Sequence, residues 1–282
     1  MPGKPKIRVL LADVDGTLVT PQKELTEEAL AAARELQAAD ITLSITSGRP
    51  PRGMAMLIEP LALTGPVAGF NGGVFVNPDL SVIESHPLDP PVAREALDLM
   101  LKSGLDGWVY TENEWLIRDT NAPHVAREAW TVKFEARVVP DFTEEHLSHA
   151  VKIVGVSDDH DLVARTETAV QNALGDRASA ARSQPYYLDV TNPKANKGEV
   201  VRWLARTMNI DPKEIATIGD MPNDVLMFKQ SGLSIAMANA SEEVQNQATY
   251  VTDSNEDEGF AKAIEGFILP RAVAAPTAVG LG

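Results

Sequence analysis

Short apolar runs alternate with amphipathic segments over the first 70 residues of the chain. An uninterrupted apolar run at residues 9–12 predicts a buried strand, and similar runs follow at 41–46 and 67–70. Between these runs, the pattern predicts helices over residues 27–39 and near residues 54–59. Because strands and helices alternate in this order, we expect an α/β fold built on a doubly wound parallel sheet.

The pattern changes near residue 85, where three prolines fall within residues 87–91. Alternating runs over 108–117, separated by a short polar loop, predict a β-hairpin among further strands and helices. The strand and helix alternation then resumes. We therefore expect a discontinuous Rossmann-like core at 1–84 and 189–270, an inserted α+β cap at 85–188, and a flexible tail at 271–282.

Composition narrows the classes of function. A chain of 282 residues is long enough for two domains, and its formal net charge of −15 disfavours nucleic acid and anionic membrane surfaces as partners. The absence of cysteine excludes thiol catalysis, disulfides and cysteine-ligated metals. No apolar run approaches the ~20 residues of a membrane span. We expect a cytoplasmic protein that is a monomer or a weak homodimer.

Acidic residues follow two of the predicted strands. Asp13 and Asp15 end the first strand and, two residues apart, point to the same side. Asp220 ends a strand over 215–219, and Asp224 precedes the next helix. Turn formation or helix capping explains each acid singly. If the two strands are neighbours, however, the acids gather where α/β sheets bind ligands, and a cation or a shared proton must relieve their repulsion.

Lys197 stands in an unfavourable place for a lysine. Asn196 predicts the N-cap of a helix, so Lys197 falls in its first turn, where the helix end is already partially positive. A nearby anion would explain the position. A lysine that reaches into water is the alternative.

Four motifs occur in order along the chain: Asp13-Val14-Asp15-Gly16-Thr17, Ser47-Gly48-Arg49, Lys197-Gly198, and Gly219-Asp220-Met221-Pro222-Asn223-Asp224. With these motifs the chain resembles the haloacid dehalogenase superfamily, specifically the Cof-type group, subfamily IIB, with a C2-type cap. The resemblance extends from about residue 6 to residue 269. It implies a phosphohydrolase in which the cap closes over the site and reads the leaving group.

The resemblance also implies roles for single residues. Asp13 is the expected nucleophile, which forms an aspartyl-phosphate, and Asp15 the general acid and then the base. Ser47 is expected to donate a hydrogen bond to the phosphoryl group, and Lys197 to offset its charge. The expected cofactor is Mg²⁺. Its expected ligands are Asp13, the Asp15 carbonyl and Asp220, with Asp224 as an auxiliary carboxylate, and the expected phosphate-binding residues are Gly16, Thr17, Gly48, Asn71 and Asn223.

Three functions stay open at this point. The first is a Mg²⁺-dependent phosphatase of small phosphorylated metabolites, with sugar phosphates as the expected class. The second is a sugar phosphomutase, which needs extra arginines in the cap to hold a second phosphate. The third is a non-catalytic phospho-receiver module, which the large insertion disfavours. The aromatic residues Trp108, Tyr110 and Trp115 of the cap are interpreted as core rather than as substrate contacts.

Overall fold

The computed structural model describes residues 6–272. Within it the chain forms two compact units. The first unit holds the residues up to 47, residues 56–68 and the residues from 196 on; the second holds residues 48–55 and 69–195. The cap boundaries predicted from the sequence, 85 and 188, stay predictions.

The N-terminal segment alternates strands and helices, as its pattern predicts. The five apolar or acidic residues of the first strand are all buried. The Thr26 hydroxyl caps the first helix by accepting a hydrogen bond from the Ala29 N–H at 3.1 Å. The elements are β1 (Val9–Asp13), α1 (Glu27–Ala38), β2 (Thr42–Thr46), α2 (Ala55–Ile58) and β3 (Val67–Gly69).

The middle of the chain is an α+β arrangement, as predicted. Its elements are β4 (Val74–Val76), β5 (Val82–Ser85), α3 (Pro90–Lys102), β6 (Asp106–Tyr110), β7 (Trp115–Ile117), α4 (Val125–Val132), β8 (Arg137–Val138), α5 (Glu144–Ser148), β9 (Lys152–Val156), α6 (His160–Leu174), β10 (Ser179–Gln184) and β11 (Tyr187–Thr191). A mixed sheet in the order β10-β11-β9-β6-β7-β8 forms its centre, and β6 and β7 are the predicted hairpin. Strand β10 has no alternation of apolar and polar residues, so the sequence pattern did not predict this strand.

The C-terminal segment returns to alternating strands and helices. Its elements are α7 (Lys197–Met208), β12 (Ile215–Gly219), α8 (Val225–Phe228), β13 (Leu233–Ala236), α9 (Glu242–Gln245), β14 (Tyr250–Val251) and α10 (Gly259–Ala263). Residues 271 and 272 still belong to this fold, because the Ile7 N–H donates to the Arg271 oxygen at 2.9 Å and Arg271 is buried. The predicted flexible tail therefore does not include these two residues, and residues 273–282 lie outside the described part of the chain.

In the first unit, six strands lie in the order β14-β13-β12-β1-β2-β3 and pair in parallel. From β1 the chain proceeds to β2 and β3 on one side, whereas β12, β13 and β14 follow on the other. The gap between β1 and β12 is therefore a topological switch point, where open α/β sheets bind ligands beyond the carboxyl ends of the strands. Asp13 ends β1, and Asp220 directly follows β12. The predicted α/β fold is confirmed.

None of the helices in residues 6–272 combines the length and the apolar character that a membrane span requires.

Candidate active site

A buried lysine lies between two buried aspartates of the first unit. The Nζ of Lys197, the first residue of α7, lies 2.5 Å from Asp13 Oδ1 and 2.5 Å from Asp224 Oδ1. The exposed fraction is 2% for Lys197, 4% for Asp13 and 0% for Asp224. An ammonium group tolerates this depth because the two carboxylates replace its hydrating water.

The start of α7 brings Lys197 to this position. The side-chain oxygen of Asn196 accepts a hydrogen bond from the Glu199 N–H at 3.0 Å, so the predicted N-cap is confirmed. Lys197 does not reach into water, and the two aspartates are the anions that its place in the first turn requires.

Asp224 fixes the turn that follows β12. Its Oδ2 accepts hydrogen bonds from the backbone N–H groups of Asp220, at 2.9 Å, and Met221, at 2.8 Å. A Cβ at Gly219 would lie 2.4 Å from Asp224 Cγ, so a side chain at position 219 would displace the carboxylate. Both oxygens of Asp224 thus carry hydrogen bonds, and they orient Lys197 and the backbone of Asp220.

Asp220 is tied to the loop that follows β1. Thr17 Oγ1 donates to Asp220 Oδ1 at 2.9 Å. Gly16 has a φ of +82°, and a Cβ there would lie 2.4 Å from Asp220 Oδ2, so both backbone conformation and space require glycine. Asn239 Nδ2 donates to the Gly16 oxygen at 2.9 Å and to Asp220 Oδ2 at 3.4 Å. These contacts link the loop after β1 to the turn after β12.

Burial and mutual repulsion make these acids hold protons tightly. Burial raises the pKa of Asp13 well above its usual value, and the positive charge of Lys197 opposes this. Burial, followed by the charge of Asp224, raises the pKa of Asp220 to about 6. Burial alone would lower the pKa of Lys197, but the attraction of Asp13 and Asp224 outweighs it and raises that pKa. Lys197 therefore stays protonated. Its single positive charge does not balance the negative charges of Asp13, Asp220 and Asp224 when all three are ionised.

The arrangement suits a hard divalent cation. Asp13, Asp220 and Asp224 each offer one oxygen, and these three oxygens lie within 4.8 Å of one another. When all are ionised, the three carboxylates and Lys197 carry an excess of two negative charges. Carboxylate oxygens are the ligands that Mg²⁺ prefers, and a divalent ion would balance this excess. The three carboxylates therefore fit a hard divalent cation such as Mg²⁺.

Asp15 has a cationic partner that the sequence did not predict. Lys23 Nζ lies 2.6 Å from Asp15 Oδ1, and both side chains are partly exposed. Lys23 has a left-handed φ of 66°, and its N–H donates to the Thr20 oxygen at 2.9 Å, which fixes its backbone in a turn. Asp15 thus forms its own ion pair outside the group of three carboxylates.

A sequence model of haloacid dehalogenase-like hydrolases matches residues 10–264 of the chain. The chain belongs to this family. The membership that its motifs indicated is therefore confirmed, and the strand ends described above are those of a haloacid dehalogenase-like hydrolase.

Individual relatives agree with this assignment. A haloacid dehalogenase-like hydrolase from Bacteroides thetaiotaomicron has a structure that aligns with a TM-score of 0.85 at 27% identity, covering 92% of this chain and 99% of that one. The 5-amino-6-(5-phospho-D-ribitylamino)uracil phosphatase YcsE of Bacillus subtilis is 25% identical over 263 residues, 93% of this chain and 96% of its own. The HMP-PP phosphatase of Citrobacter koseri is 26% identical over 233 residues, 83% and 85% of the two chains.

Ser47 lies at the same strand edge of this hydrolase as Asp13. It directly follows Thr46, the last residue of β2, and Thr46 is the Cα partner of Asp13 in the parallel pair. The exposed fraction of Ser47 is 3%, and its N–H donates to the Ala68 oxygen at 3.1 Å. Its predicted hydrogen bond to a phosphoryl group stays a prediction.

The remaining predicted residues belong to both units. Gly48 and Asn71 belong to the second unit, where a Cβ on Gly48 would lie 3.6 Å from Asn71 Nδ2. Asn223 is exposed and lies in the turn of residues 222–224 in the first unit, in which Asp224 is buried. For these three positions, phosphate binding stays a prediction.

Two residues of the site were missed by sequence reasoning. Asn239 comes three residues after the end of β13, at the ligand-binding edge of the sheet, and this position is a signal that could have identified it. Lys23 follows no strand end and no cap pattern, so its pairing with Asp15 depends on the turn conformation alone.

Proposed function

We propose that this haloacid dehalogenase-like phosphatase depends on Mg²⁺ and hydrolyses small phosphorylated metabolites through an aspartyl-phosphate on Asp13. One observation carries the proposal: Lys197 bridges Asp13 and Asp224, and the oxygens of Asp13, Asp220 and Asp224 lie within 4.8 Å of one another. Nucleophile, cation and metal ligands are the groups that phosphoryl transfer requires at one point.

Asp13 supplies the nucleophile. Lys197 holds Oδ1 of Asp13 at 2.5 Å, which leaves Oδ2 for attack on phosphorus. As the Oδ2–phosphorus bond forms, the bond between phosphorus and the leaving alcohol oxygen breaks. The ammonium of Lys197 and the hydroxyl of Ser47 then stabilise the negative charge on the equatorial phosphoryl oxygens.

Asp15 moves the proton in both steps. As a general acid it protonates the leaving alcohol oxygen, and as a base it then takes a proton from the water that cleaves the aspartyl-phosphate. A carboxylate in an ion pair with Lys23 has no proton to donate, so the first step requires Asp15 to exchange this partner for a proton.

The ion would be held by Asp13, Asp220 and the backbone carbonyl of Asp15. Thr17 and Asn239 orient Asp220 through their hydrogen bonds, so both support the metal ligand without contacting the reacting atoms. When bound, Mg²⁺ supplies positive charge that offsets the developing negative charge on the phosphoryl oxygens.

Sugar phosphates are the substrate class that we expect. The names of the two phosphatases above denote small phosphorylated organic molecules, one of which carries a ribityl chain. The acidic chain, with its formal net charge of −15, supports a small substrate over a nucleic acid.

The phosphomutase alternative requires arginines that are available for a second phosphate. Four arginines of the second unit are already in ion pairs with glutamates, at N–O distances between 2.7 and 2.9 Å. A second phosphate that bound to any of these four arginines would have to break its pair, whereas Arg118, Arg127 and Arg165 of the same region are not part of these four pairs. The pairs are Arg94–Glu144, Arg137–Glu114, Arg177–Glu95 and Arg182–Glu167.

Phosphate release tests the proposal. The purified protein is incubated with p-nitrophenyl phosphate and a panel of sugar, nucleotide and cofactor phosphates, with Mg²⁺ or with EDTA and without a bisphosphate activator. We expect hydrolysis that EDTA abolishes and Mg²⁺ restores. Asp15→Asn is expected to slow hydrolysis of the aspartyl-phosphate, so that intact-mass spectrometry detects the phosphorylated chain.

Two outcomes would contradict the proposal. Turnover that EDTA leaves unchanged would exclude the metal dependence. Turnover that appears only after addition of a sugar bisphosphate would favour the phosphomutase instead.

A further inference from the structure

The loop after β1, residues 14–26, folds back on its own first residue. The Val14 oxygen accepts hydrogen bonds from the N–H groups of Leu18, at 3.0 Å, and Val19, at 3.1 Å. All three side chains are buried, so they anchor this end of the loop in the core of the first unit. Asp15 pairs with Val19 in an isolated bridge. The backbone position of Asp15 is therefore coupled to that of Val19.

A second segment of the first unit holds this loop. We call residues 252–258, between β14 and α10, the clamp turn. Asn255 Nδ2 donates to the Val19 oxygen at 2.9 Å. The N–H of Asn255 donates to Asn239 Oδ1 at 3.2 Å, and Asn239 Nδ2 donates to the Gly16 oxygen at 2.9 Å. Asn255 thus holds the loop at one point directly and at a second point through Asn239.

The clamp turn also contacts the far end of the loop. The hydroxyl of Thr26, the N-cap of α1, donates to Glu258 Oε2 at 2.6 Å. The segment that carries Lys23, the ion-pair partner of Asp15, therefore lies between two points that the clamp turn fixes.

Hydrogen bonds to the sheet keep the clamp turn itself in place. Thr252 donates its N–H to the Ala236 oxygen of β13 at 2.9 Å and its hydroxyl to the Gly259 oxygen at 2.8 Å. The Gly259 N–H donates to the Ser254 oxygen at 2.9 Å, and a Cβ on Gly259 would lie 2.0 Å from the Asp253 oxygen. Because the turn is fixed to the sheet in this way, its side chains can impose a position on the loop.

The side chain of Asp15 cannot fix its own position during the reaction. Asp15 Oδ1 lies 2.6 Å from Lys23 Nζ, and the proposed mechanism requires the carboxylate to leave this partner. General acid catalysis then requires hydrogen-bond contact between Asp15 and the leaving oxygen, and a small displacement costs much of the rate. The constraint must therefore come from the backbone of the loop.

We propose that Asn255 is a positioning residue, which acts through the backbone of the loop to place Asp15 for proton transfer. The proton moves from the Asp15 carboxyl group to the leaving alcohol oxygen as the bond between phosphorus and that oxygen breaks. This inference rests on the proposed phosphatase function and adds a residue that does not contact the reacting atoms. The nucleophile Asp13 pairs with Lys197, and this pair does not involve the hydrogen bonds of Asn255.

Asn255→Ala tests the proposal with two leaving groups. The variant loses the hydrogen bond to Val19 but keeps the backbone N–H that donates to Asn239. A p-nitrophenolate ion leaves phosphorus without a proton, whereas the alkoxide of an alkyl phosphate requires one, so only the second depends strongly on Asp15.

The quantity to compare is kcat/KM, which reports the steps up to the aspartyl-phosphate. For the alkyl phosphate that the wild type hydrolyses fastest, we expect kcat/KM to fall about tenfold in Asn255→Ala. For p-nitrophenyl phosphate, we expect a fall of about twofold. Asn255→Asp, which lacks the amide donor at similar size, should show the same selective loss. Asn246→Ala, at an exposed position of the first unit, is the control and should keep the wild-type ratio.

Hydrogen exchange tests the constraint without substrate or Mg²⁺. The N–H groups of Leu18 and Val19 are hydrogen-bonded within the loop, so they exchange only when the loop opens. We expect faster deuterium uptake in the peptide of residues 14–24 of Asn255→Ala than in the wild type. Uptake by the peptide of residues 160–174, in α6 of the second unit, should be unchanged.

The inference is overturned if Asn255→Ala lowers kcat/KM by the same factor for both substrates, because the residue then acts on the fold as a whole. Unchanged kinetics together with unchanged deuterium uptake would overturn it as well. A wild-type protein that hydrolyses no phosphate would instead contradict the proposed function. Deuterium uptake then decides alone, and an uptake by residues 14–24 that Asn255→Ala leaves unchanged refutes the constraint.

Discussion

The two units treat their buried polar groups in opposite ways. In the first unit, Lys197 contacts Asp13 and Asp224, and Asp224 also accepts two backbone N–H groups, so that the charged groups satisfy one another. In the second unit, one face of the sheet, which we call the aromatic–polar face, carries Trp108, Tyr110, Trp115, Lys152, Tyr187 and Asp189. It keeps Trp108 Nε1 and Tyr187 OH buried and without partners among the described residues. Internal saturation suits groups that must keep one geometry during chemistry, whereas buried donors without partners lower the stability of the second unit.

The two units also differ in the net charge of their buried polar groups. The three-carboxylate cluster carries excess negative charge and attracts a metal ion. On the aromatic–polar face, the charges of Lys152 and Asp189 are paired, which leaves neutral donors and one carboxylate oxygen. Mutations in the cluster of Lys197 with the three carboxylates, the first region, should therefore affect every substrate, and mutations on the aromatic–polar face, the second region, should affect stability.

The largest effect is expected for Asp13→Asn. Without the nucleophile, kcat/KM should fall on the order of 10⁴-fold or more for all phosphate esters. Steady-state phosphate release with p-nitrophenyl phosphate and sorbitol 6-phosphate measures this. Asp176→Asn, at an exposed position, is the control and should behave as the wild type. Equal turnover in Asp13→Asn and the wild type would remove Asp13 from the mechanism.

Lys197→Met tests whether the ion pairs of Lys197 with Asp13 and Asp224 stabilise the first unit. Removal of the ammonium leaves Asp13 and Asp224 buried without their cation, which should cost about 3–5 kcal/mol of unfolding free energy. Mg²⁺ should restore more stability to this variant than it adds to the wild type, because a cation replaces the lost charge. Urea denaturation with and without Mg²⁺ measures both effects.

The control for this change is Lys262→Met. Lys262 pairs with Asp253 at the surface, where more than half of each side chain is exposed, so water screens the interaction. Its unfolding curve should match that of the wild type. If Lys197→Met also left the unfolding free energy unchanged, the buried ion pairs of Lys197 would not stabilise the fold.

Asn239→Ala should weaken the metal site without removing a ligand. Asn239 donates to Asp220 Oδ2 and to the Gly16 oxygen, so its loss frees Asp220 to rotate. We expect the affinity for Mg²⁺ to fall about tenfold, as measured by calorimetry in the absence of substrate. Asn246→Ala, at an exposed position, is the control. An unchanged affinity would show that Thr17 alone orients Asp220.

The proximity of Asp13, Asp220 and Lys197 could be predicted from the sequence for a local reason. Asp13, Asp220 and Lys197 each adjoin a strand end or a helix start, and parallel strands bring such ends to one edge. Asn239 follows the same rule, although its role was not predicted. The pairing of Lys23 with Asp15 depends on the left-handed backbone conformation of Lys23 itself. No sequence pattern predicts that conformation for a lysine.

The second region was not predictable in the same way. Trp108 and Trp115 look like core residues in the sequence, and their burial agrees with that interpretation. What distinguishes them is the lack of partners for their indole N–H groups, which depends on the register of β6, β7, β9 and β11. Pairing register over long separations is a tertiary property that apolar periodicity does not contain.

The smallest expected effect concerns Glu128, which lies against the aromatic–polar face from α4. Burial raises its pKa, while Lys152 and the hydrogen bond from Tyr110 oppose this. A carboxyl whose pKa folding raises contributes most stability below its unfolded pKa and loses that contribution as pH rises through the folded value. Glu128→Gln keeps an acceptor for Tyr110 but cannot ionise, so its advantage over the wild type should grow with pH.

The two proteins should be equally stable at about pH 4, and the variant should be more stable at about pH 8, by about 1.4 kcal/mol for each unit by which folding raises the pKa. Urea denaturation at both pH values measures the difference, and Glu135→Gln, at an exposed position of the same segment, should show none. A variant less stable than the wild type at high pH would mean that Lys152 fully compensates an ionised Glu128. The charged groups of the aromatic–polar face would then be fully paired, as Lys197, Asp13 and Asp224 are in the first unit. The two regions would differ only in the unpartnered neutral groups of Trp108, Trp115 and Tyr187.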